Sequence, residues 1–122
     1  MNVAGEVRAV RAALEAAGTP ARAVGAKAYL KSELTFLGAD APAIRREGKA
    51  LAARVKAEDD GSLRPLVEAL WKTPVAELRS VAVAVLEARE PTLGAHDLPM
   101  LERFLRESHT WAYVDWICLK VL

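Results

Sequence analysis

The sequence predicts an all-α protein assembled as a solenoid of paired helices, and three observations carry that expectation. Of the 122 residues, 52% are hydrophobic but only 6% aromatic. Much of the apolar content is Ala, Val and Leu, and the helix formers Ala and Leu recur at helical spacing. Turn and capping signals cut the chain into about seven segments, none showing sustained strand alternation between hairpin turns. The segments also recur in pairs. Ile44-Arg45, Leu78-Arg79 and Val114-Asp115 stand near the starts of the third, fifth and seventh, offset by 34 and 36 residues, each followed by an apolar run. Helix–turn–helix units with that period point to solenoids of the HEAT, armadillo or tetratricopeptide type.

The first helix runs from about Val3 to Ala17 and stops at Gly18. Thr19-Pro20 restarts the chain, with Thr as N-cap and Pro at the first helical position, and this second helix reaches about Leu34. Phe36-Leu37-Gly38 makes a short connection. Asp40 caps a third helix to about Ala57, with Pro42 in its first turn. Glu58-Asp59-Asp60-Gly61 is a solvated turn before a fourth helix over about Ser62 to Lys72. Thr73-Pro74 starts a fifth, reaching about Ala88. After the loop Pro91-Thr92-Leu93-Gly94, Asp97 caps a sixth helix. The seventh begins near Ser108 to Thr110 and runs to the end.

Net charge is +1, so no global basic signal for nucleic acid exists. The charge is nevertheless uneven. Residues 1–56 hold ten basic against five acidic residues (+5), and residues 57–122 hold seven against eleven (−4). A basic N-terminal half suits a phosphate backbone; solvated helix faces are the plain alternative. Cys118 is the only cysteine and lies in an apolar run, where a buried small hydrophobe is expected. A reducing cytoplasm fits a soluble chain with no disulfide, no signal-peptide pattern and no apolar run near the ~18 residues that span a bilayer. The chain ends Trp116-Ile117-Cys118-Leu119-Lys120-Val121-Leu122 without a stop signal. Such a helix docks back on its neighbours, meets a partner or marks a truncation, and truncation is the expectation. Self-association through residues 116–122 is the corollary of the partner reading.

Two constellations carry candidate chemistry. Trp111 and Asp115 are four residues apart on one helix, so they share a face one turn apart. An aromatic plate beside a carboxylate attracts cations through both ring quadrupole and formal charge. The structural alternative is an Asp–Arg ladder, because Asp115 takes the place that Arg45 and Arg79 hold in the two preceding units. The second constellation runs from Lys27 to Gly38. There Lys31 and Ser32 suit phosphate contact and Tyr29 suits stacking or hydrogen bonding, while Tyr29, Phe36 and Leu37 as core is the bland reading. Trp71 reads as packing at a helix–helix corner. His96 and His109 are isolated from ligand-spaced partners, so no metal is expected, and no phosphate loop or nucleophile elbow appears.

Three stretches together resemble the N-terminal half of the DNA alkylation repair family, the AlkD type of alkylpurine DNA glycosylase built from HEAT-like repeats. They are Ala28-Tyr29-Leu30-Lys31-Ser32-Glu33-Leu34 with Phe36-Leu37-Gly38 and Pro42-Ala43-Ile44-Arg45; Ala69-Leu70-Trp71 with Glu77-Leu78-Arg79 and Ala82; and Ser108-His109-Thr110-Trp111-Ala112-Tyr113-Val114-Asp115-Trp116. They span most of residues 25–118. The resemblance implies a right-handed HEAT-like solenoid cradling duplex DNA, and hydrolysis of the N-glycosidic bond of N3- or N7-alkylated purines. The family's catalytic carboxylate falls on Asp115 and its neighbouring aromatic on Trp111, and Tyr29 matches an aromatic lining its site. Lys31, Ser32, Arg45 and Arg79 are then the expected DNA contacts, with no cofactor. Family members are longer, and their C-terminal repeats supply a further aromatic and an arginine with no counterpart here. A catalytically inactive HEAT-like module that binds DNA or protein is therefore the alternative function.

Overall fold

The computed structural model describes residues 1–30, 32–108 and 111–121, with backbone alone at Trp111 and Ala112. Every regular element among them is helical, and the only extended pairing is an isolated parallel bridge between Thr35 and Val75. The order is α1 (Val3–Ala17), α2 (Pro20–Leu30), α3 (Ala41–Glu58), α4 (Leu63–Lys72), α5 (Ala76–Ala88), α6 (Leu98–Arg106) and α7 (Trp111–Trp116). α7 continues as a wider π-helical turn over Ile117–Val121.

The starts follow the capping chemistry. The Asn2 side chain accepts the Gly5 N–H, Thr19 Oγ1 accepts the Arg22 N–H and Asp40 accepts the Ala43 N–H. Each relieves one amide that a helix leaves without a partner at its first turn. Asp97 behaves differently from the expected cap. Its carboxylate turns back to the Gly94 N–H at 2.9 Å and to Arg64 at 2.6 Å, and a 3-10 turn over Ala95–Asp97 leads into α6.

α5 is the centre of the molecule. Ten of its thirteen residues are buried, as expected of a helix apolar on nearly every side, and α1, α3, α4 and α7 all pack on it. α3 packs tightly on it at Gly48, where an added Cβ would stand 2.5 Å from the Ala84 Cβ. Trp71 fills the corner between α4, α6 and α7, stacked on Phe104 at 4.5 Å and edge-on to Tyr113 at 5.5 Å.

Two boundaries differ from the sequence expectation, for one reason. α2 ends at Leu30 rather than near Leu34, and α5 begins at Ala76 rather than Pro74. Between them, the Thr35 N–H donates to the Pro74 carbonyl and the Ala76 N–H to the Thr35 carbonyl, both at 2.8 Å. That long-range pairing draws Leu34 and Val75 out of helices that local propensity would have extended. Cys118 is exposed, not buried. Ile117 and Val121, four apart, take the inward positions and join the core, which leaves Cys118 and Leu119 outside. The apolar C-terminal run thus docks back, Val121 meeting Leu93, Leu98 and Leu101 around one cavity.

Candidate functional site

The rotation of α7 is set by Tyr113. Its ring is buried, its hydroxyl donates to the Ala76 carbonyl, and Ser80 Oγ lies 3.0 Å from the phenol oxygen. Burial pushes the Tyr113 hydroxyl well above the ordinary tyrosine range, against the lowering effect of the Ser80 hydrogen bond. The phenol keeps its proton and remains a donor. Residues on an α-helix advance about 100° each, so Asp115, two positions on, projects roughly opposite Tyr113. Asp115 is accordingly exposed.

Two concavities meet at this helix. A cleft of ≈ 220 Å³ lies between α2, α3, α5 and α7, with Leu30, Phe36, Ile44, Tyr113 and Trp116 among its walls. Beside it, a depression of ≈ 230 Å³ is lined by Arg45, Glu87, Asp115, Trp116, Leu119 and Lys120. Arg45 and Trp116 border both. The carboxylate therefore shares its depression with two cations, one other carboxylate and an indole.

A buried carboxylate holds the α2 side of the cleft in register. Glu77 Oε1 accepts the Leu37 N–H at 2.8 Å and Oε2 accepts the Gly38 N–H at 2.9 Å. Two backbone amides converging on one carboxylate satisfy a charge that would be costly if left bare inside the protein. Gly38 sits at φ +86°, and its carbonyl accepts the Thr19 N–H at the entry to α2. A side chain there would run into the Thr19 carbonyl. The first turn of α5 thereby fixes the start of α2, the helix that carries Tyr29.

The expected site residues divide into three groups. Asp115 and Arg45 are exposed and line the same depression, and Tyr29 is 74% exposed on α2 next to the cleft residue Leu30. Ser32 and Arg79, expected as DNA contacts, are instead buried at 6% and 8% exposure. Ser32 Oγ accepts the Leu34 N–H. Arg79 donates to the Thr73 and Glu107 carbonyls and lies 4.8 Å over the Trp71 ring. Both hold the protein's own backbone, and Arg79 is committed to those carbonyls rather than to an Asp–Arg ladder. Lys31 and the Trp111 side chain lie outside the described residues.

Sequence reasoning missed Glu77, the Tyr113–Ser80 pair and the companions of Asp115, namely Glu87, Trp116 and Lys120. Trp116 and Lys120 carried a usable signal, one and five residues after Asp115 in the same C-terminal helical run; the rest meet across the fold. No group of three or more His, Cys, Asp or Glu among the described residues could hold a metal ion. No helix among them is long and apolar enough to cross a membrane.

The regular elements among the described residues are all helical, and a carboxylate, two cations and an indole share one exposed depression. The sequence profile of the DNA alkylation repair enzyme family matches residues 10–122, and the chain belongs to that family. DNA is accordingly its partner and repair its role. No individual curated protein matches the chain.

Proposed function

We propose that the protein is an AlkD-type alkylpurine DNA glycosylase built on HEAT-like repeats, with Asp115 as its catalytic carboxylate. The observation that carries this reading is the exposed Asp115, seated between Arg45, Lys120 and Trp116 within the stretch that matches the family. In the reaction, a water oxygen bonds to C1′ as the C1′–N9 bond breaks. The bond's electron pair leaves with the purine and cancels the charge that alkylation placed on the ring. The water's proton passes to the carboxylate or to solvent. Because the leaving purine is already cationic, no strong general acid is needed. What the site must supply is stabilisation of the positive charge growing on the sugar, which a fixed carboxylate provides. Trp111 and Tyr29 serve as aromatic walls that attract the cationic base, and Arg45 holds a phosphate beside it. Ser32 and Arg79 act through the backbone they brace.

The test is release of 3-methyladenine and 7-methylguanine from methylated duplex DNA under single-turnover conditions with the full chain. Release above the spontaneous rate is expected. A folded protein that binds the duplex and releases nothing would instead make it a binding module.

A further inference from the structure

The cleft between α2, α3, α5 and α7 lies beside the Asp115 depression, and its lining suits one flat ring. Leu30, Phe36, Ile44 and Trp116 are only half-buried there and help enclose ≈ 220 Å³. An apolar cavity of ~150 Å³ accepts benzene, so this volume takes one bicyclic ring system and little more. Apolar walls with a few placed polar groups are the usual make-up of a small-molecule site. The outer wall is α2, through Ala26 and Leu30. No residue of α2 is buried, so that wall can yield to a ring without disturbing the core.

The polar lining sorts by hydrogen-bonding sense. Tyr113 gives its proton to the Ala76 carbonyl. Ser80 Oγ lies 3.1 Å from the same carbonyl and 3.0 Å from the phenol oxygen, so its proton is spent as well. Glu77 accepts one amide on each carboxylate oxygen and keeps further lone pairs. The α5 and α7 side of the cleft therefore offers acceptors alone. Arg45, on the α3 side, offers donors alone. Its charge balances that of Glu77, which favours a neutral ligand over an ion. A free purine base matches on every count. It is flat and bicyclic, it carries an amine on one edge, and it has bare ring nitrogens on another.

We infer that the cleft holds the free alkylated purine after release, with its amine toward Glu77 and Ser80 and its ring against the apolar walls. The source of that base rests on the glycosylase reading. Arg45 and Trp116 border both the cleft and the Asp115 depression, so a purine leaving the sugar has only that border to cross. Base retained there slows later turnovers and leaves the first unaffected.

The experiment titrates the full chain, without DNA, with 3-methyladenine and follows the protein by NMR. Saturable shifts with a Kd of about 0.1–1 mM are expected for a ligand of this size. Adenine and 6-methylpurine test the donor edge. The methyl group leaves the cleft's acceptors without a partner, so 6-methylpurine should bind about tenfold more weakly than adenine. Ala26→Phe fills the cleft from the unburied α2 and should abolish binding. Ser80→Ala serves if that variant folds poorly, and should weaken 3-methyladenine about fivefold while sparing 6-methylpurine. Leu119 is 79% exposed and lines the neighbouring depression. Leu119→Trp should therefore leave binding unchanged. Absence of saturable shifts, full affinity in both cleft variants, or an equal loss in Leu119→Trp would overturn the site. Failure of wild type to release base from methylated duplex would count against the glycosylase and leave the affinity for free base as a separate result. Release without that affinity would overturn the product site alone.

Discussion

Tyr113 shows how one hydroxyl can govern where a carboxylate two residues on is placed. Its bond to the Ala76 carbonyl pins α7 to α5, and the helical repeat then carries Asp115 to the outer face. Tyr113→Phe keeps the ring against Trp71 and removes only the hydroxyl. It should cost about 1 kcal/mol, seen as a fall in Tm of roughly 3–6 °C. A small rotation of α7 should also slow base release by on the order of tenfold while duplex affinity holds. An unchanged release rate with the lowered Tm would make the hydroxyl structural only. Asp97 is a second residue whose role reads out in stability. Burial would raise its pKa, but the Gly94 N–H and Arg64 outweigh burial and hold the carboxyl below its ordinary 3.8. A folded-state pKa below the unfolded one stabilises the protein above the unfolded value, and the benefit disappears as pH falls through the folded one. Asp97→Asn should therefore lose about 1–2 kcal/mol at pH 7. The gap from wild type should narrow below about pH 4, as followed by urea unfolding across pH.

At the scale of elements, the contact of α3 on α5 leaves no room for an added methyl. Gly48 lets α3 settle on Ala84, and Gly48→Ala should cost about 1–3 kcal/mol through overpacking, with a matching shift in the urea midpoint. Little loss would mean that α3 slides freely over α5. Helices were the legible part of this chain because their signals are local. Thr19 and Asp40 sit where a cap is needed, and each accepts an N–H of its helix's first turn. The errors fall where distant residues intervene. Nothing near Leu34 announces that Thr35 pairs with Pro74 and Ala76, so helix propensity overran both ends of that bridge. Cys118 was misplaced because an apolar run does not say which of its faces is inward. The candidate residues divide in the same way. Asp115 and Arg45 lie exposed at one depression, while Ser32 and Arg79, which have the right chemistry for phosphate, brace backbone.

Over the whole molecule, α5 links structure to function. Its first turn holds the α2 loop through Glu77 and α7 through the Ala76 carbonyl, so both sides of the aromatic cleft are referred to one buried helix. Such a framework can hold a carboxylate still while a charged sugar forms beside it, which is the requirement of electrostatic catalysis. The central claim is tested most directly by single-turnover release of 7-methylguanine from methylated duplex by wild type and Asp115→Asn side by side, with duplex affinity measured on both. The asparagine keeps the shape and removes the charge. Wild type should release the base, and the variant should bind DNA at least as well yet release it on the order of 100-fold more slowly or worse. Equal release by the two proteins would contradict a catalytic role for Asp115.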